Sequence, residues 1–546
     1  MLEAAELASS QPLTEVNYNF LKRLTEVLVG MGTQLCGLYG KEPDVTKPET
    51  FAMYLQAVLA LTRHPSLSIN QIAASLWVAL FKHERLNAEP ELLNVIQPWI
   101  GVVARKFVKT SACAFDGMDF DSDEEFTAFH LRLRSDLAEA VRFATVLAPS
   151  VTFCYAQQWL FSQLDNAVLS EWEALALFLD SVASKAKEAP SGPQLLEHCL
   201  AYQSSDPAVL SEVLSCISAL FVYVHHDPQR LLRPVLDRIF SSVLFSAPGQ
   251  SKDSRSKTVR NIRRHACSLM VKISMQHPVL LVQQFDYIKA NIERLSKTQD
   301  DSQLSRMEVV TLQETLLIIS NQFNKFQLQS DLIGEVVRPA AEQWTAMSPA
   351  FNSAQEFMSF IGLDRPPVEP SADDIHGRNR SELLASTSVF MAVLKRCKTS
   401  TDPLKGHPAA QHLAPLLFHT FRLAKVILQL WEPEAQKRLS PGYAKAYDLL
   451  DSEIVNLLTQ GGMSQSGMPA CISQLNGHVQ KQQTPLERVQ NFIVQIHNNV
   501  FTILGSFGET LGEQFYATPG LAVAVAGTTC GNYYSIDNKN TFQFMT

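Results

Sequence analysis

An all-α chain built as a HEAT-type α-solenoid, a superhelical array of antiparallel helix pairs, is what this sequence predicts, on three observations. Helical periodicity runs from about residue 18 to about residue 514, in amphipathic segments of roughly 15 to 20 residues separated by short polar or Pro-containing turns. Alternating strand patterns are nearly absent. The third observation is internal repetition. LSCISALFVYVHHDPQRLLRPVLDRIFSSV, from Leu214, and HACSLMVKISMQHPVLLVQQFDYIKANIERL, from His265, share a plan: a small-residue helix with a Cys near its start, an apolar stretch, a turn with His and Pro (Pro228, Pro278), then paired leucines opening a second helix. Their offset of about fifty residues suits helical-hairpin repeats with variable loops rather than one closed bundle.

The elements follow in order. TRHPSLSINQIAASLWVALF, from Thr62, marks an early turn at Pro65 between two apolar helical patterns. Residues 115–126, FDGMDFDSDEEF, insert an acidic loop, and further loops are expected near residues 247–257, 362–380 and 460–485, where Gly, Pro, Ser and charged residues cluster. In a repeat array such insertions tend to fall on one face, often the binding face. The array is expected over residues 1–517. At TPGLAVAVAGTTCGNYYSIDNKNTFQFMT, residues 518–546, the helical period is expected to give way to an atypical, disordered tail, read as a truncated or alternatively spliced end.

Composition narrows the function. The 546 residues supply ample apolar content for a continuous core. Lys and Arg total 46 against 54 Asp and Glu, a formal charge of −8, so no global basic field advertises a nucleic acid and any such binding must use a local patch. The nine cysteines have no C-x-x-C pair, and most of them read as buried, reduced thiols. The first residues have no basic leader pattern, and no apolar run is expected to reach the roughly 20 residues that span a bilayer. The reading is therefore a soluble protein of cytosol or nucleus with no membrane insertion.

That local patch has one clear candidate, KTVRNIRRHACSLMVKI at residues 257–273. At about 100° per residue, Val259, Ile262, Ala266, Leu269, Met270 and Ile273 share one side, while Lys257, Arg260 and Arg264 share the opposite side with Asn261, and Arg263 lies on the shoulder. No acid interrupts residues 257–264, and Lys252 and Arg255 precede them. Like charges at i, i+3 and i+4 repel by a few tenths of a kcal/mol per pair, a cost that an anion would relieve. Guanidinium forks match phosphate oxygens bidentately, which favours Arg where geometry matters. A solvated basic face, or one paired to acids of a neighbouring repeat, would show the same pattern.

VRNIRRHACS, together with FLKRLTEVL, MDFDSDEEF, QWLFSQL, EWEALALFLDSV, SALFVYV, FSSVLF, LIISNQF and AYDLLDSE, resembles the karyopherins of the importin-β superfamily, in the branch that carries short double-stranded RNA hairpins out of the nucleus. The resemblance covers about residues 18 to 516 and falls on the middle of that family, without its N-terminal repeats, which grip the small GTPase Ran, or its C-terminal repeats. It implies a superhelix that binds cargo with RanGTP in the nucleus, releases it after GTP hydrolysis in the cytoplasm, shuttles between the two and meets nuclear pore proteins. The implied cargo is pre-microRNA-type hairpins, with tRNA as a second candidate. GTP enters only through bound Ran, and no cofactor or metal is implied.

Within that family a 3′ overhang enters a basic tunnel and the duplex rests on the inner surface. The matching positions are Glu139 in LAEAVRFA, Arg264 and Ser268 in RRHACS, Arg306 in LSRME, Asp373 in SADDIHG and Arg380 in GRNR; Arg306 stands where the family has Gln, and Asp373 where it has Glu. Lys257, Arg260, Arg263 and Arg264 would meet phosphates, and Ser268 would donate to a phosphate or a 2′-OH. Glu139 would accept from a 2′-OH, hold an arginine, or form a surface ion pair with Arg142 or Arg134. A-form RNA hides its base edges, so such a receptor reads phosphate spacing, 2′-hydroxyls and an unpaired end.

The acids Asp119, Asp121, Asp123, Glu124 and Glu125 would suit a basic partner such as Ran, or form a solvated loop that lacks the Gly and Glu spacing of a calcium site. No catalytic motif is present: H-E-x-x-H, the P-loop and G-x-S-x-G are missing, and His225 and His226 sit at a repeat turn. No enzyme is expected. Two function classes stay open, an RNA export receptor and a HEAT scaffold that binds only proteins.

Overall fold

A computed structural model of the chain describes residues 14–109, 119–165, 168–251, 254–298, 302–369, 371, 373–399, 406–448 and 484–529. The fold is all-α, a HEAT-type α-solenoid of helix pairs; among the described residues the only β pairing is an isolated bridge between Tyr39 and Glu42. The chain divides into two compact units, Met1–Leu269 and Met270–Thr546.

The first unit holds α1 (Glu15–Leu38), α2 (Phe51–Arg63), α3 (Leu67–Lys82), α4 (Pro90–Phe107), α5 (Asp123–Leu147), α6 (Pro149–Asp165), α7 (Leu169–Ala183), α8 (Gly192–Ala201), α9 (Pro207–Leu220), α10 (Pro228–Val243) and the first part of α11 (Lys257–Gln276). Helices α1, α3, α5, α7 and α9 pack side by side in chain order, while α2 lies against α4, α4 against α6, and α8 against α10. This alternation stacks each pair on the next. Fully buried Trp77, Trp99 and Trp172 join Phe81, Phe107 and Phe178 between the helices, each worth roughly 1.5–3 kcal/mol of apolar burial. α11 extends the first row: Ser211 Oγ on α9 lies 2.7 Å from His265 Nδ1.

The turns sit where the sequence places them. Pro65 falls between α2 and α3, and Pro207 and Pro228 open α9 and α10, where a missing N–H is harmless. Asp206 and Asp227 cap those two helices, accepting from the backbone N–H of Ala208 at 2.8 Å and of Arg230 at 3.2 Å. One expectation fails here. The stretch Pro207–His226 is 20 residues long and holds an 18-residue window with a mean hydropathy of 1.8, long and apolar enough to cross a bilayer, but 67% of that window is buried. It is a core helix: its apolar residues are buried, while Ser211, Glu212 and Ser215 are half-buried along one side.

The second unit holds the rest of α11, then α12 (Phe285–Ser296), α13 (Arg306–Ser320), α14 (Phe326–Met347), α15 (Ala354–Ile361), α16 (Ile375–Arg396), α17 (Leu417–Gln429), α18 (Pro485–Leu511) and α19 (Leu521–Thr529). α16 lies between α13 and α18, α14 packs on α13 and α16, and buried Trp344 meets Phe351 and Phe390. The expected tail is corrected in part. Residues 521–529 form a helix packed on α17, which buries Leu521 and Thr528. Residues 530–546, and the expected loop over residues 460–483, lie outside the described residues. The last six residues of the expected loop 362–380 belong to α16.

Candidate nucleic-acid interface

Helix α11 carries the candidate row. Ser256 starts it, its Oγ accepting from the N–H of Val259 at 3.3 Å. Val259, Ile262, Ala266, Leu269, Met270 and Ile273 are all buried, while Lys257, Arg260, Asn261, Arg264 and Ser268 are exposed. Among the described residues, none of Lys257, Arg260 and Arg264 pairs with a carboxylate. The row therefore keeps its mutual repulsion uncompensated.

Arg263 does not share that row. Its side chain is 0% exposed, and its guanidinium donates to the Phe245 carbonyl at 3.4 Å. The reason is angular: position 263 lies only about 20° from Met270 on the helix, so its shoulder is the inner edge of the apolar stripe. Arg255, in the preceding loop, is buried as well. Lys252 lies outside the described residues.

Glu139 sits on α5, in the same row of helices as α11 but with α7 and α9 between them. Its partner is neither Arg142 nor Arg134. Glu139 Oε1 accepts from Lys82 Nζ of α3 at 2.7 Å, and the same ammonium lies 4.6 Å from the Phe143 ring centroid. Arg134 points inward instead, donating to the Phe107 carbonyl at 2.6 Å and pairing with Glu173 at 2.7 Å. Near that pair, burial first and then the charge of Glu173 push the Glu212 carboxyl up to about 7.

The remaining predicted residues lie in the second unit. Arg306 pairs with Glu382, joining α13 to α16. Arg380 and Asp373 come together around one cavity of about 310 Å³, which Arg365, Asp374 and Tyr443 also line. Within it Arg380 is anchored on two sides: it donates to the Ile361 carbonyl at the end of α15 and pairs with Asp374 at 3.3 Å. Asp374 also caps α16, accepting from the N–H of Gly377 at 2.8 Å. Asp373 is exposed at the rim. Arg365 makes no ion pair among the described residues and was not predicted, although it stands inside the loop the sequence marks, GLDRPPVEP.

The acidic stretch separates into two kinds of residue. Asp119 is not available to a partner: its side chain is 1% exposed and accepts from Tyr18 Oη at 2.6 Å, Ser66 Oγ at 3.2 Å and Lys22 Nζ at 3.2 Å. Asp121, Asp123 and Glu125 are exposed. Ser122 caps α5 by accepting from the Glu125 N–H at 3.2 Å, and Glu125 in turn accepts from the Asp121 N–H at 2.8 Å. The expected loop thus ends as a helix start, where acids favour the positive dipole end. The side chain of Glu124 lies outside the described residues.

Comparison with known proteins adds the family. The Exportin-5 family model matches residues 15–545. Exportin-5 of Homo sapiens is 31% identical over 98% of this chain and 49% of its own length, and Exportin-5 of Mus musculus is 30% identical over the same shares. Exportin-5 of Dictyostelium discoideum is 22% identical over 96% of this chain and 49% of its own length. The chain spans about half the length of these relatives.

Proposed function

Because this chain belongs to the Exportin-5 family, we propose that it is a cargo-binding stretch of a nuclear export receptor that takes short double-stranded RNA hairpins, of pre-microRNA or tRNA type, together with RanGTP. Such a receptor shuttles between nucleus and cytoplasm and meets nuclear pore proteins on the way. One observation carries the reading: Lys257, Arg260 and Arg264 stand exposed in a row with Ser268, and among the described residues no carboxylate neutralises them. Phosphates spaced along an A-form strand relieve that repulsion, and Ser268 donates to a phosphate or a 2′-OH. Glu139, held by Lys82, accepts from a 2′-OH.

Arg380, Arg365 and Asp373 offer a second group of contacts at their own cavity, and Arg306 contributes by exchanging Glu382 for a phosphate. The exposed acids Asp121, Asp123 and Glu125 suit a basic protein surface such as that of Ran. Guanine nucleotide enters only on that partner, and the chain itself carries out no chemical step.

The test is a binding titration of the 546-residue chain with a labelled hairpin bearing a short 3′ overhang, with and without RanGTP. Arg264→Glu is expected to weaken hairpin binding by about tenfold or more, since one phosphate contact becomes a repulsion. Equal binding of blunt and overhanging hairpins, indifferent to that charge reversal, would overturn the reading and leave the protein-only scaffold.

A further inference from the structure

Away from α11, three helices of the first unit border a half-open, ring-walled cavity. Ala104 and Arg105 of α4 with Val108 just beyond its end, Tyr155 and Trp159 of α6, and Glu171 of α7 line about 230 Å³. That is below the range of about 300–1,000 Å³ that encloses a drug-sized molecule. The space suits one planar ring and excludes a base pair.

Its walls are rigid. Tyr155 and Trp159 meet edge to face with centroids 6.5 Å apart, and both brace on Phe178, at 5.9 and 5.4 Å. Phe178 is itself buried against Phe107 at 5.7 Å. A wall fixed in this way loses little freedom when a ring stacks on it.

The polar groups are not used up inside the chain. Arg105 is exposed and has no ion pair or hydrogen bond among the described residues. Glu171 borders the same cavity yet does not join it: one carboxylate oxygen accepts from Trp159 Nε1 at 3.0 Å and the other keeps its accepting capacity. The Tyr155 hydroxyl makes no hydrogen bond among the described residues either. Burial raises its pKa most, with the Arg105 charge acting against that and the Glu171 charge adding to it, so both charges are felt at the phenol.

An unpaired cation, a half-used carboxylate and a free hydroxyl around one ring-sized space match a ligand with an anionic end, a flat body and a donor. An aromatic side chain of a peptide fills the space but leaves Arg105 and Glu171 unanswered. A nucleotide answers all three: its base stacks on the rings, its phosphate meets Arg105, and an exocyclic amino group donates to Glu171. We propose that the cavity between α4, α6 and α7 binds one unpaired RNA nucleotide, preferring an amino-bearing base to uracil. The proposal rests on the RNA reading for the source of the nucleotide, but on residues separate from α11.

The test uses the full chain and fluorescein-labelled tetranucleotides rC4 and rU4, read by anisotropy. rC4 is expected to bind about tenfold tighter than rU4, Arg105→Gln to weaken rC4 by about tenfold, and Glu171→Gln, which retains the Trp159 hydrogen bond, to erase the preference. Arg105 is exposed, so that variant folds as the parent does. rC4 binding that ignores Arg105→Gln, a cytosine preference that survives Glu171→Gln, or occupancy by a Phe-containing peptide with no oligonucleotide bound would each overturn the proposal. A parallel titration of the hairpin against Arg264→Glu separates the two readings. Loss there with no effect of Arg105→Gln on rC4 sinks the cavity alone, and the converse sinks the α11 row alone.

Discussion

Asp119 accepts from three side chains at once: the Tyr18 and Ser66 hydroxyls, which also lie 2.6 Å from each other, and the half-buried Lys22 ammonium. Asp119→Ala removes the acceptor common to all three, so a loss of about 1–3 kcal/mol is expected in urea unfolding; a change within about 0.5 kcal/mol would contradict the network. Titration gives a second prediction. His64 and His130 are pushed down to about 4, chiefly by burial and then by the charges of Lys106 and Arg134 respectively. Their unfolded forms take up protons first, so stability falls as pH drops from about 6.5 to about 4. Glu212, raised to about 7, acts in the opposite direction: the folded state holds its proton longer, and its contribution is lost as pH rises from about 4.5 to about 7. Glu212→Gln is therefore expected to be about 1–2 kcal/mol more stable than the parent at pH 8 and to lose stability more steeply on acidification. Equal unfolding midpoints at pH 8 would contradict the burial of that charge. Single side chains were the least legible part of the sequence. Arg263 reads as a phosphate ligand until the arc of the apolar stripe is measured, and Glu139 finds Lys82 from 57 residues away, a partner that no local pattern reveals.

Elements were far more legible, because periodicity and caps act within a few residues. The six apolar positions of α11 are all buried, as the 100° spacing requires. The start of α18 was equally available: TPLE before an apolar run is a capping box, with Thr484 Oγ1 accepting from the Glu487 N–H at 3.2 Å and the Glu487 carboxylate accepting from the Thr484 N–H at 2.6 Å. Thr484→Ala is expected to cost about 1 kcal/mol, read as a lower thermal midpoint; an unchanged midpoint would mean that the helix is held by packing alone. One element escaped the reading: the run Leu521–Thr529 shows little contrast between faces, so periodicity could not distinguish a helix from a tail.

At the scale of the whole molecule, alternating rows of helices let a chain of net charge −8 present a local cationic ridge, since each helix exposes only the arc its neighbours leave uncovered. The fold class was legible because the repeat plan recurs along the chain. The cavity around Arg380 was legible in part, since all its lining residues but Tyr443 fall in the loop and helix start at residues 362–380, whereas the one between α4, α6 and α7 draws on three separate helices and was not. A global charge of this sign also makes nonspecific attraction weak, so hairpin affinity should rest on few phosphate contacts and show a correspondingly modest salt dependence. The most direct measurement is the slope of log affinity against log salt for the hairpin, in the parent chain and in Arg260→Gln/Arg264→Gln. Removing two phosphate contacts is expected to reduce the slope by about 1.4 to 1.8, at roughly 0.7–0.9 per contact. An unchanged slope would show that the exposed row on α11 does not hold the RNA.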